Sequence, residues 1–520
     1  MSKDLETAPG AAPHIARWQK AQRLLVNGRP DQALGIYQEL LKQFPDTSRL
    51  WYELGFAAGK QLEFALADEA CERAAGLAAA SRNVSLLILL GQQYHWLRRT
   101  DRARQCFEQA VAVCPASIHA QLSLADWYER ERRLDDAWRC VQACLDREPK
   151  NAQVQCVQAL LLHRSGKNAE AETLLRQIIQ QGSSDPNVNY SSRHQLAVVL
   201  DQMGQYQEAF RWLGEAKDLM RKTANVARLE QDYDRVTSRR AQLLAKLTPE
   251  SIPRWRRESA ALAPYRLALL GGHPRTGTTL LEQVLGAHPG IAAFDEPMAF
   301  PDEVTEKLSP VTGAAALTVK SLDVLPPQQI AHFRVRYFKS LLRGDPGEFA
   351  GKMLLDKNPS PTAWLHIWLR IFPDLKVIIA LRDPRDVIVS CYFQNLRLNT
   401  VNANFLSLDR TVTHYADLMD VWLRLRELGG FEWLETRYEN MVADIEKEGR
   451  RVTEFLGLAW DAQQPVFYEK SRGKFVFSPT YNEATKPVYR GAVGRWKNYA
   501  EALAPLQPRL QRYCKIFNYD

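Results

Sequence analysis

A small residue recurs through the first 225 residues, at Ala33, Ala67, Ala103, Ala137, Ala171 and Ala209, with spacings of 34, 36, 34, 34 and 38. Other marks keep step with it. Trp51, Leu54 and Gly55 precede Ala67 by 16, 13 and 12 residues, and Leu90, Gly91 and Tyr94 precede Ala103 by 13, 12 and 9. Pro45, Pro115 and Pro149 each follow their alanine by 12, and Phe107 and Ala110 follow Ala103 by 4 and 7. Such a period confines this part of the chain to stacked helical hairpins. The small residue lets two helices approach, the large ones fill the gap to the next hairpin, and proline ends the second helix.

The period and its marks resemble tetratricopeptide repeats. The resemblance implies about six repeats over residues 14–223, stacked as a right-handed solenoid whose concave face suits an extended protein or peptide partner. Gln121, Trp127 and Gln155 are candidates for that face, although Trp127 also fits a packed position. Cys71, Cys140 and Cys144 fall in these helices and read as core filler. A charged helical connector, 224–261, ends in Arg254-Trp255-Arg256-Arg257, read as a solvated face rather than a ligand contact. A second domain, 262–520, follows.

That domain opens on an apolar run, Arg266 to Leu270, which predicts a buried parallel strand. Gly272-His-Pro-Arg-Thr-Gly-Thr-Thr279 comes next, then a helical segment, Leu280 to Leu285. A strand, a glycine turn and a helix N-terminus make an anion site from free N–H groups and the helix dipole. The G-x-x-x-x-G spacing is followed by Thr278-Thr279, without the lysine of nucleotide triphosphatases, and the positive charge sits earlier, at Arg275. This argues for a phosphorylated ligand other than a hydrolysed ATP or GTP. A hundred residues on, Lys376 to Leu381 reads as a second strand running into Arg382-Asp383-Pro384-Arg385-Asp386. Asp383 and Pro384 fit the cap and first position of a helix. Arg382 would stand at a strand's carboxyl end, where open α/β sheets bind ligands. Ser390 lies about two helical turns on. Together Arg382 and Ser390 suit a second phosphate.

Pro274 to Thr279 resembles the 5′-phosphosulfate loop of sulfotransferases, and Leu381 to Asp386 with Ser390 resembles their 3′-phosphate motif. The resemblance covers roughly Tyr265 to Tyr499 and is nearest to the tyrosylprotein sulfotransferases and their bacterial relatives with helical repeats. It implies an α/β, P-loop-like, three-layer domain with a parallel sheet, fused to the all-α solenoid. The implied cofactor is 3′-phosphoadenosine 5′-phosphosulfate (PAPS), leaving as 3′,5′-ADP, with no metal. Arg275, Thr276, Gly277, Thr278 and Thr279 would hold its 5′ end, and Arg382 and Ser390 its 3′-phosphate. Lys486, in the loop Thr480 to Lys486, and Arg495, beside Trp496, would close the site. Glu296, after Ala287-His288-Pro289, matches the general base, and Lys357, in Asp356-Lys357-Asn358-Pro359, would neutralise charge on the leaving phosphate oxygen. Arg275 joins them as the third catalytic candidate. Bland roles compete: a turn cap for Glu296, a solvated loop lysine for Lys357, an ion pair with Asp383 or Asp386 for Arg382, a self-bonded helix serine for Ser390 and a surface position for Arg495.

The expected acceptor is a protein or peptide hydroxyl, foremost tyrosine. The alternatives are a carbohydrate or small phenol, and a non-catalytic nucleotide-sensing scaffold. Pro297-Met298 stands where the animal enzymes place an arginine, and Gln394 where they are basic, which puts tyrosine specificity in question. The net charge of +8, from 68 basic and 60 acidic residues, is mild for 520 residues. It calls for no nucleic acid and suits anionic ligands. Eight cysteines without paired spacing, no signal-like apolar N-terminus and no 18-residue apolar run predict a cytoplasmic protein free of membrane. Assembly is left open, a homodimer included.

Overall fold

The computed structural model describes residues 11–308, 317–344, 346–471, 475–478 and 491–519. Cα packing divides the chain into two compact units, Met1–Gly166 and Lys167–Asp520. Within the first unit the period is realised as the helical hairpins α1–α2 (Ala11–Val26, Pro30–Gln43), α3–α4 (Ser48–Lys60, Phe64–Ala80), α5–α6 (Val84–Trp96, Thr100–Val113) and α7–α8 (Ile118–Arg130, Leu134–Leu145), ending on α9 (Ala152–Arg164); the second unit opens on α10 (Asn168–Gln181), followed by the hairpin of the sixth repeat, α11–α12 (Pro186–Gln202, Tyr206–Thr223). The marker alanines are all fully buried. Gly91 shows why the pattern needs small residues, since a Cβ there would lie 2.6 Å from the Phe107 ring.

The prolines serve as more than helix ends. Trp51 Nε1 donates to Pro45 O at 2.6 Å, Gln121 Nε2 to Pro115 O at 3.1 Å and Gln155 Nε2 to Pro149 O at 3.0 Å. The same place in these three first helices thus caps the turn before it. Gln121 and Gln155 thus use their amide N–H groups to staple the repeat. Trp127 is packed, 5% exposed, against Phe107 and His95. Cys71, Cys140 and Cys144 are buried, and all eight cysteines are free thiols.

In the second unit, α13 (Val226–Ala245) and α14 (Ser251–Glu258) lead to the sheet. The basic cluster on α14 is partly paired, while Arg256 and Arg257 remain exposed as a solvated face would have them. Arg254 and Trp255 Nε1 reach Asp323, Arg256 reaches Asp374, and the Trp255 ring is fully buried. Five strands follow, β1 (Leu267–Gly272), β2 (Ile291–Asp295), β3 (Met353–Lys357), β4 (Lys376–Leu381) and β5 (Trp433–Arg437), with α15 (Thr278–Gly286), α16 (Pro327–Leu342), α17 (Leu365–Ile371), α18 (Pro384–Tyr392) and α19 (Leu408–Leu428) among their connections. All the strands are parallel, in the order β2-β3-β1-β4-β5. Buried side chains form separate clusters, Leu267, Leu269, Val377 and Ile379 in one, Ala268, Leu270, Ile378 and Ala380 in the other. Alternation along β1 and β4 sends neighbouring residues into opposite layers. From central β1 the chain turns to the β2–β3 side, and from β4 to β5 on the other. Their carboxyl ends therefore flank the crevice where such sheets place ligands.

Candidate active site

Register puts the functional ends of the strands side by side. Asp295 lies opposite Lys357, Lys357 opposite Leu270, and Gly272 opposite Ala380. At the end of β1 the loop Gly272 to Gly277 turns into α15, with Gly277 in the left-handed region at φ 89° as its cap. A Cβ on Gly277 would lie 2.5 Å from the Tyr438 ring, so the backbone there approaches a wall closely. Arg275 also has positive φ, 75°, a strained state for a residue with a Cβ, held by its surroundings. Those surroundings are a buried polar scaffold. Thr276 Oγ1 donates to His273 O at 2.7 Å, and His273 Nδ1 donates to Pro274 O at 2.8 Å. That bond fixes the tautomer, so His273 Nε2 accepts from His414 Nδ1 at 2.8 Å. Burial pushes His273 down to about 4, which keeps this pair neutral near pH 7.

α18 begins as its sequence predicts, with the Asp383 carboxylate accepting from Arg385 N and Pro384 in the first turn. Arg275 Nε donates to Ser390 Oγ at 3.0 Å, and Arg382 Nη1 donates to Arg275 O at 3.2 Å. The two motifs, over a hundred residues apart in sequence, therefore meet. Arg382 is 7% exposed, lies over the Tyr438 ring at 4.9 Å, and keeps a buried Nε with no hydrogen-bond partner. Its pairing with Asp386 is long, 3.9 Å. A buried guanidinium N–H left without an acceptor is costly, and an anion at this spot would supply one.

On the other side of the loop, Lys357 is fully buried, and its Nζ pairs with Asp295 Oδ1, lies 3.3 Å from Glu296 Oε1 and donates to Thr279 Oγ1 at 3.5 Å. Burial alone would push the ammonium down, but Asp295, Glu296 and Glu282 outweigh it and hold it above its ordinary value. Glu296 has φ 46°, and its N–H donates to Lys357 O at 2.8 Å, so β3 fixes where this strained turn sits.

Residues 268–462 match the family model described as Sulfotransferase family, and 15–57, 122–186 and 191–227 match tetratricopeptide repeat models. The chain carries a sulfotransferase-family domain behind tetratricopeptide repeats. An uncharacterized protein of Aquifex aeolicus is 23% identical over 79% of this chain and 48% of its own length. Protein-tyrosine sulfotransferase 1 of Danio rerio is 24% identical over 44% of this chain and 65% of its own. The chain thus spans about half the length of the first relative and under two thirds of the second. Among solved structures, the sulfotransferase domain of the Synechococcus PCC 7002 olefin synthase shares 22% identity with a TM-score of 0.34, over 49% of this chain and 96% of that domain.

Asp295 is the residue of the sulfotransferase domain that local motifs did not single out. Its Oδ2 accepts from Phe477 N at 2.7 Å and Ser478 N at 3.1 Å, while Oδ1 holds Lys357. Burial raises its carboxyl, yet Lys357 and those two N–H groups bring it below the usual range. Thr279 Oγ1 donates to Ser478 Oγ at 3.2 Å. One carboxylate thus ties β2, β3 and the 475–478 segment together. The signal was an acidic pair at a strand end, whose meaning depends on strand pairing. Arg495 is half-buried, with its guanidinium on Asp201 at 2.8 Å and over the Phe393 ring at 4.5 Å. Lys486, with Thr480 to Lys486, lies outside the described residues. Among the described residues, no group of three or more His, Cys, Asp or Glu is arranged to hold a metal ion, and no helix is long and apolar enough to cross a membrane.

Proposed function

We propose that this chain is a PAPS-dependent sulfotransferase acting on a hydroxyl, foremost tyrosine of a protein or peptide presented by the repeats. The observation that carries the reading is the meeting of Arg275, Ser390 and Arg382 beside the Lys357–Glu296 pair, at the carboxyl ends of adjacent strands. The residues gathered at these strand ends suit the cofactor's two anionic ends. The unpartnered Nε of Arg382 and the hydroxyl of Ser390 suit the 3′-phosphate, and the loop through Thr279 suits the 5′ end. PAPS supplies an activated sulfuryl group whose transfer needs positioning and charge stabilisation more than covalent help. Glu296 takes the proton of the acceptor hydroxyl, as a phenol with pKa about 10 requires near pH 7. Lys357 offers its ammonium to the phosphate oxygen that gains charge. Arg275 steadies the loop and gives up Ser390 to the ligand.

The nucleotide half of this reading is tested by thermal unfolding with ligands. The expected result is a clear rise in Tm with 3′,5′-ADP and little with 5′-AMP or ATP and magnesium. Arg382→Ala weakens 3′,5′-ADP binding by about 1.5–3 kcal/mol, the range for hydrogen bonds to charged groups. Equal stabilisation by ATP contradicts the assignment.

A further inference from the structure

The sixth hairpin packs within the same unit as the sulfotransferase sheet. Ala197 of α11 and Leu213 of α12 share one core cluster with Val387 and Val389 of α18 and with Tyr499. Polar contacts make the attachment specific. A helix ends with carbonyls that have no intrahelical partner; side chains of the hairpin meet the cap carbonyl of α18, the next backbone carbonyl and a side-chain amide beyond it. His194 Nε2 donates to Phe393 O at 3.0 Å, Lys217 Nζ to Gln394 O at 2.7 Å, and Tyr190 to Asn395 Oδ1 at 3.1 Å.

Asp201, at the end of α11, does something different. Its two oxygens take Arg495 Nη2, at 2.8 Å, and the Tyr499 hydroxyl. On either side of Arg495, the N–H groups of Gly494 and Trp496 donate to Asp386, both at 2.7 Å. Asp386 is four residues before Ser390 on α18, so both lie on one face of that helix. The Phe393 ring under the Arg495 guanidinium is three residues beyond Ser390. Arg495 is therefore held at the carboxyl end of α18, the helix that carries Ser390, with Nη2 bonded to Asp201, the Tyr499 hydroxyl also bonded to the guanidinium, and more donors in its fork than these bonds use.

We infer that the sixth hairpin is a working part of the cofactor site, with Asp201 as the positioning residue that holds Arg495 at the end of α18. The inference rests on the nucleotide reading above. An arginine side chain loses considerable rotamer freedom when a ligand orders it. Pairing it in advance with Asp201 removes that cost from cofactor binding. The repeat array would then set cofactor affinity as well as carry a partner.

The test is calorimetric titration of 3′,5′-ADP into the full chain carrying Asp201→Asn, Arg495→Gln, or both. Each single change is expected to weaken binding by about tenfold, as the loss of one charge-assisted contact does. The double variant is expected to bind within about twofold of Arg495→Gln, the mark of residues acting as one unit. Urea midpoints measured alongside separate affinity from folding. Should Asp201→Asn fail to fold, Tyr499→Phe removes the second partner of Asp201 and is expected to keep affinity within about twofold, because Arg495 stays paired. An Asp201→Asn protein that binds like the parent, multiplicative losses in the double variant, or a Tyr499→Phe loss as large as that of Arg495→Gln would each overturn the inference. Normal binding by Arg495→Gln overturns it too, while normal binding by Arg382→Ala overturns the nucleotide reading beneath it.

Discussion

Lys357 has no exposed surface and two carboxylates within reach, and these two are not equivalent. Asp295 is closed in by Lys357 and two backbone N–H groups, whereas the Glu296 side chain is 33% exposed at the mouth of the site. The division suits a structural counterion and a working base. Asp295→Asn leaves a buried ammonium with one weaker partner, so it is expected to lower stability by roughly 3 kcal/mol, the lower end for a broken buried pair. Urea unfolding measures this, and a loss below 1 kcal/mol would make the pair no stronger than a surface one. Glu296→Gln is expected to cost far less stability and far more turnover. The sequence pointed to Arg275, Arg382 and Ser390 because each sits in a local strand–turn–helix pattern, and to Glu296 and Lys357 only through the resemblance to the sulfotransferases. Asp295 and Asp201 were not legible, since their partners lie 62 and 294 residues away and only sheet register or helix docking brings them close.

At the scale of elements, the strands β1 and β4, the start of α18 and the repeat hairpins follow from periodicity and capping, both local properties. What the pattern could not give is which helix face meets which neighbour. The basic run on α14 finds Asp323 and Asp374, each more than 65 residues on, and Gln121 and Gln155 turn back to proline carbonyls. Lys217 on α12 is a similar case with a measurable consequence. Burial pushes its ammonium down to about 7, while unfolded lysine titrates near 10.4. Between those values the unfolded chain holds the extra proton, so this residue's contribution to stability rises with pH. Nearby His194 stays neutral, pushed by burial to about 3, and Cys391 and Tyr392 stay protonated, pushed to about 12. The Tm of the parent protein relative to Lys217→Met is therefore expected to climb from pH 7 to pH 10. A flat difference would mean that Lys217 keeps its proton throughout.

For the whole molecule, two roles for the repeats meet in one chain. The helices before Gly166 form a compact unit of their own, and the last hairpin belongs to the unit with the sheet. A fragment beginning near residue 167 is expected to keep 3′,5′-ADP binding and sulfation of a small phenol while losing sulfation of a peptide acceptor. Equal loss on both acceptors would assign the first unit to stability alone. One beginning near 250 lacks Asp201 and Lys217 and is expected to bind the nucleotide more weakly. The central claim, that this site moves a sulfuryl group, is tested most directly by incubating the full chain with labelled PAPS and a peptide library. Label is expected on a hydroxyl oxygen, foremost that of tyrosine, at a rate that Glu296→Gln lowers by about 10²–10⁴-fold. Arg382-dependent binding of 3′,5′-ADP with no label on any hydroxyl would contradict it, and would leave a nucleotide-sensing scaffold in its place.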